Sequence, residues 1–106
     1  MKPNIDIAKS LFSQNKYQET IDTCHQLLIA DANSIETLKL IAKSFLAIQK
    51  IEDARSYLNQ TLNLKPDDYE VIKDLGNTYQ AVGDFKTAKI FYQKALAINS
   101  SYAPAL

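Results

Sequence analysis

Residues 69–102 read YEVIKDLGNTYQAVGDFKTAKIFYQKALAINSSY, and they repeat, column by column, what stands 34 residues earlier. Subtracting 34 takes Leu75 to Ile41, and subtracting it again reaches Ile7. Gly76, Ala42 and Ala8 align in the same way, as do Tyr79, Phe45 and Leu11. Phe85, Ile51 and Tyr17 form a further column, and Leu96, Leu62 and Leu28 another. Small residues fall on small columns and bulky apolar residues on bulky ones. Three copies of one helix pair account for this, and a single irregular globule does not. A fixed period of this length is the signature of a stacked solenoid, and solenoids present an extended concave face to other chains.

Each period divides into two helical halves. In the first, Ile7, Ala8, Leu11 and Phe12 follow helical spacing, and Ile21, Cys24, Leu27 and Leu28 follow it again. The halves are separated at Gln14-Asn15-Lys16, at Gln49-Lys50 and at Gly83-Asp84. Gly and Asn accept the left-handed backbone of a tight helix exit, so the Gln49 exit is the weakest signal of the three. Ser34 and Asp68 stand one residue before helical patterns, where a side-chain oxygen can cap free backbone N–H groups. Pro66 blocks continuation of the preceding helix. The pattern predicts helices near 4–14, 17–30, 35–48, 51–64, 69–82 and 85–98, in one domain spanning 1–106 with repeats 1–34, 35–68 and 69–102. A fourth period opens at Ala103-Pro104-Ala105-Leu106, which leads us to expect a piece of a longer protein.

Composition narrows the classes. Twelve basic and twelve acidic side chains cancel, whereas bulk binding to nucleic acid or to an anionic membrane calls for a basic excess. One cysteine cannot close an internal disulfide. No apolar run is long enough to span a bilayer, and the N-terminus lacks a signal-peptide core. These features lead us to expect a soluble, cytoplasmic protein with no nucleic-acid or membrane partner.

The columns resemble those of the tetratricopeptide repeat, a helix-turn-helix unit of 34 residues with a Leu-Gly pair, a Tyr, and then Ala, Phe and Pro. Leu75-Gly76, Tyr79, Ala88, Tyr92 and Ala95 carry the match in the third repeat, with Ile72 in place of the Trp and Ser100 in place of the Pro. Ile41-Ala42, Phe45, Ala54, Leu58 and Pro66 carry it in the second, and Ile7-Ala8, Leu11, Thr20, Cys24 and Ala32 in the first. The resemblance implies an all-α, right-handed solenoid of antiparallel helix pairs. It also implies binding of a peptide or protein segment in the concave groove lined by the first helix of each repeat. One subfamily clamps a terminal carboxylate with Lys, Asn and Arg side chains. At those places this chain has Ile5 and Lys9, then Leu40, then Glu70 and Asp74, so the clamp is absent.

Helical phase places Ile5, Lys9 and Phe12, then Glu36, Lys39, Lys43 and Leu46, then Glu70, Lys73, Asn77 and Gln80 on the groove. The lysines make a mildly basic stripe. The narrower expectation is capture of an extended acidic segment or a terminal carboxylate by charge-assisted hydrogen bonds. The broader one is a solvated face, partly neutralised by Glu36, Glu70, Asp6 and Asp74, that binds a partner without acidic preference.

Nothing in the chain suggests chemistry. Cys24 shares a core column with Leu58 and Tyr92, and its helix neighbour His25 points elsewhere. There is no phosphate loop, no metal-ligand cluster and no nucleophile elbow, so neither a cofactor nor a metal is expected. The leading expectation is a non-catalytic interaction module. The alternative is a docking arm of a larger enzyme, for example a transferase. An RNA-reading helical repeat fits the neutral charge poorly. Ile90 and Leu96 on the last helix should be partly uncovered, which predicts weak self-association through residues 85–98.

Overall fold

The computed structural model describes residues 4–99. Six helices follow one another: α1 (Ile5–Ser13), α2 (Tyr17–Ala30), α3 (Ile35–Ala47), α4 (Ile51–Leu64), α5 (Tyr69–Ala81) and α6 (Phe85–Ile98). Each helix packs on the next, and α1 also touches α3, so the pairs α1–α2, α3–α4 and α5–α6 stack into a solenoid. The described residues contain no strand. Every helix boundary falls within one residue of the spacing-based expectation. Ala103–Leu106, and the fourth period read into them, lie outside the described residues.

The helix ends explain the punctuation. Ser34 Oγ accepts from the Thr37 N–H at 3.3 Å, and Asp68 Oδ1 accepts from the Val71 N–H at 3.2 Å. Asn4 and Asp84 cap α1 and α6 in the same manner, at 3.0 and 3.2 Å. Each cap satisfies an N–H that the helix itself leaves open. The exits from α1, α3 and α5 repeat one device. Asn15 (φ 62°), Gln49 (φ 67°) and Gly83 (φ 85°) are left-handed. The next residue's N–H then reaches back to Leu11, Phe45 or Tyr79, at 2.9 Å in all three cases. This closes a Schellman exit. Glycine adopts that backbone freely and asparagine tolerates it, while Gln49 adopts it at a cost.

The small columns mark close approaches. Ala8, Ala42 and Ala54 are fully buried. A Cβ added at Gly76 would meet Tyr92 Cε1 at 2.7 Å and Cδ1 at 2.9 Å, so that ring fills the space a side chain would need. A larger residue at Gly76 is expected to cost about 1–3 kcal/mol by overpacking.

Two apolar clusters run along the axis. The first joins Ala8, Ile21, Cys24, Leu40, Ile41, Phe45 and Ala54. Phe45 and Tyr57 stack beside it with centroids 5.7 Å apart, and His25 Nε2 meets the Tyr57 hydroxyl at 3.1 Å. The second joins Ala42, Leu58, Val71 and Leu75, with Tyr57, Leu62 and Phe91 packed against it. Cys24 is fully buried, and burial pushes its thiol up to about 11, which makes it a core hydrophobe and a poor nucleophile. On α6, Phe85, Ile90 and Ile98 are exposed.

Candidate functional site

The first helix of each pair turns one face to the concave side. There, α1, α3 and α5 enclose an open recess of about 490 Å³ lined by Lys9, Ile35, Glu36, Lys39, Leu40, Lys43 and Glu70. Five of these seven belong to the set expected from helical phase. Ile35 and Leu40 are additional, and they supply the apolar wall.

The remaining expected residues divide by repeat. Ile5, Phe12 and Leu46 are half-buried and pack on the first apolar cluster, and Phe12 meets the Tyr17 ring edge-on at 5.4 Å. They anchor the N-terminal wall of the groove more than they face a ligand. Asn77 and Gln80 lie beside the Tyr92 hydroxyl, 2.6 Å from Asn77 Oδ1 and 2.7 Å from Gln80 Oε1, and the hydroxyl donates to one oxygen at a time. Their amide NH2 groups are thereby turned from Tyr92 and left to donate elsewhere. Lys73 lies on the same helix, half-buried.

Lys9, Lys39 and Lys43 are engaged by carboxylates at the start of the next pair's first helix. Lys9 on α1 pairs with Glu36 on α3. Lys43 on α3 pairs with Glu70 on α5 at 2.9 Å. Lys39 donates to Asp68 Oδ2 at 2.9 Å and lies 3.7 Å from Glu70. The pairs differ in kind. Lys9 and Glu36 are both about half exposed, a setting in which an ion pair adds little stability. Asp68 is 5% exposed and Lys39 24%. Burial works against both charges, yet the Lys39 hydrogen bond, the Val71 N–H and the nearby lysines hold the Asp68 carboxyl below its usual range. The same contact with Asp68, and then Glu70, raises Lys39 against the cost of its burial. The Lys43 hydrogen bond, acting against burial, holds Glu70 low as well.

Asp68 thus performs two tasks with two oxygens: Oδ1 caps α5, and Oδ2 anchors α3 through Lys39. The cap was legible in sequence and the anchor was not. Lys39 is a strut between repeats, and the exposed basic stripe reduces to charges that alternate from helix to helix. Asp74 stands outside the expected groove set, although it holds one of the clamp positions. Adding 34 to Asp6 gives Leu40 and then Asp74, a third column beside the two lysine-bearing ones. Asp74 is half-buried one turn beyond Glu70 on α5.

Residues 74–102 match the family profile of the tetratricopeptide repeat. The fold is similar to that of MamA in two crystal structures, at TM-scores of 0.84 and 0.87 with 26% and 18% identity. Each covers 92% of this chain, which spans just over half of those chains, 54% and 57%. It is also similar to the first tetratricopeptide domain of Spaghetti (RPAP3), solved with the HSP90 peptide SRMEEVD. There the TM-score is 0.86 and the identity 22%, over 92% of this chain and 77% of that one. No curated protein matches the sequence. The chain has the fold of a tetratricopeptide-repeat solenoid, and residues 74–102 carry that family's profile. The positions expected to carry a carboxylate clamp hold Ile5 and Lys9, then Leu40, then Glu70 and Asp74. Among the described residues no helix is long and apolar enough to cross a membrane, and no group of three His, Cys, Asp or Glu could hold a metal ion.

Proposed function

We propose that the chain is a non-catalytic interaction module that seats an extended segment of a protein partner along its concave face. The observation that carries this reading is the open recess between α1, α3 and α5, where the apolar Ile35 and Leu40 are flanked by charged groups. An apolar wall supplies affinity and the charged rim supplies orientation and register. Spaghetti, which has the same fold, was solved with a peptide bound, and that supports a peptide as the class of partner. The clamp residues differ here, so the reading carries over the mode of binding and not the ligand. The expected groove set stands as the contact surface, with Ile35, Leu40 and Asp74 added to it. A cytoplasmic setting and a role as an arm of a longer chain are compatible with this function.

Selection from a displayed random-peptide library tests it. Peptides selected on the parent protein should lose binding to a Lys43→Trp/Asn77→Trp variant, which fills the groove, and keep binding to Gln93→Trp on the exposed side of α6. All three proteins must first show the same helicity by circular dichroism. Peptides that bind the parent and the groove-filled variant equally would place the site elsewhere and overturn the reading.

A further inference from the structure

Lys9, Lys39 and Lys43 are already paired with the protein's own carboxylates, and a nearby carboxylate, Asp74, forms an ion pair with none of them. Asp74 makes no hydrogen bond and no ion pair with any described residue. On α5 its neighbour one turn back is Glu70, a like charge, and Lys73 is adjacent in sequence and so projects to a different side of the helix. Across the groove on α3 stand Lys39 and Lys43. Asp68 and Glu70 occupy the first of these, and Glu70 the second. Burial and Glu70 raise the Asp74 carboxyl above its usual range, with Lys73, Lys43 and Lys39 opposing. A half-buried carboxylate one turn beyond Glu70, with no side-chain donor among the described residues and beside a groove with an apolar wall, is complementary to one kind of side chain.

Resting on the groove reading above, we infer that Asp74 selects the partner: the bound segment places a Lys or Arg side chain on Asp74 and an apolar neighbour against Leu40 and Ile35. A guanidinium or ammonium arriving there gains a charge-assisted hydrogen bond and meets a second acceptor in Glu70. An acidic segment would compete with Glu36 for Lys9 and with Glu70 for Lys43, and it would be repelled by Asp74. The charge preference is therefore opposite in sign to that suggested by counting lysines along the sequence.

Three synthetic peptide libraries test this. They are identical except for one fixed central position, which is Arg, Gln or Glu between randomised apolar-rich flanks, and binding is read by fluorescence polarisation. The parent should bind the Arg library about tenfold more tightly than the Gln library, the scale of one hydrogen bond to a charged group. Glu should be weakest. In Asp74→Asn the Arg-to-Gln ratio should fall to near one while the Gln library binds as before. In Lys43→Ala, which releases Glu70, the Arg preference should persist or grow. Equal binding of all three libraries by the parent, a preference for Glu, or an Arg preference unchanged in Asp74→Asn would overturn the assignment of Asp74 while leaving groove binding in place. Failure of every library to bind would remove both.

Discussion

The seam between the first and second repeats and the seam between the second and third are built from different materials. At the first, Ile21 and Cys24 of α2 share a dry cluster with Ile41 and Phe45 of α3, and Tyr57 stacks on Phe45. At the second, Leu58 of α4 meets Val71 and Leu75 of α5, and polar groups complete the contact. Arg55 on α4 donates through Nε to Thr78 Oγ1 at 3.2 Å and lays its guanidinium 4.1 Å from the centre of the Tyr79 ring. One of its Nη atoms is buried with no acceptor among the described residues. Lys39 reaches across to Asp68. Hydrocarbon burial carries no titratable charge, whereas a half-buried ion pair is directional and answers to pH and to screening by salt, and a cation over a ring is directional as well. The repeat period is thus uniform in backbone and uneven in chemistry.

Substitutions can break that contrast at either seam. The largest effect is expected from Ile41→Ala, which empties the first seam of a fully buried side chain. It should cost about 3 kcal/mol in urea unfolding, with the same value at low and high salt. A strong salt dependence there would remove the distinction between the seams.

Asp68→Ala attacks the second seam by removing a cap and leaving Lys39 without its main partner. About 2 kcal/mol is expected at neutral pH. The carboxyl of Asp68 is held low in the folded state, so its contribution is present above the ordinary carboxylate pKa and is lost as pH falls through the folded value. The parent and the variant should therefore converge in stability under acid conditions, and a gap that persists there would assign the loss to the cap alone.

Asp74→Asn sharpens the comparison from the other side. A carboxyl raised in the folded state contributes stability below its unfolded pKa and loses that contribution as pH rises through the folded value. At neutral pH the variant should melt slightly higher than the parent, with no such gain in acid. One residue on α5 thus gains stability on losing its charge, while six residues earlier Asp68 loses stability on removal.

Gln49→Gly lies at neither seam and serves as a reference. It relieves a left-handed non-glycine residue and should add about 0.5–1 kcal/mol. Smallest of all, Lys9→Ala should stay within about 0.5 kcal/mol of the parent, since both members of its pair face solvent.

The helices were legible in the sequence because a solenoid is held by neighbours. Each column is repeated at Ile7, Ile41 and Leu75, so one ambiguous position is corrected by two others. The exits at Asn15 and Gly83 even located the one at Gln49, whose own residue type argued against it. The groove was half legible. Helical phase chose the face that carries the recess, but phase carries no information on where a long side chain ends. The narrower expectation offered Lys9, Lys39 and Lys43 to a ligand and the broader one had Glu36 and Glu70 neutralise the face; Lys9 pairs with Glu36, Lys43 with Glu70, and Lys39 with Asp68, the one partner not expected. Asp74 was counted as one neutralising charge among several, although the column through Asp6 and Leu40 pointed to it as a groove position.

The left-handed exits at Asn15, Gln49 and Gly83 recur in the same register and close on the same backbone oxygen position. Each repeat therefore turns between its two helices with the same stereochemistry, and these turns are interchangeable in a way the helices around them are not. Excising residues from one exit to the next, or copying them in tandem, would shorten or lengthen the molecule in whole steps while leaving every surviving junction intact. The reach of the concave face, and with it the length of chain that can be read, is then an integer property, set by counting units and independent of how well any one of them is packed.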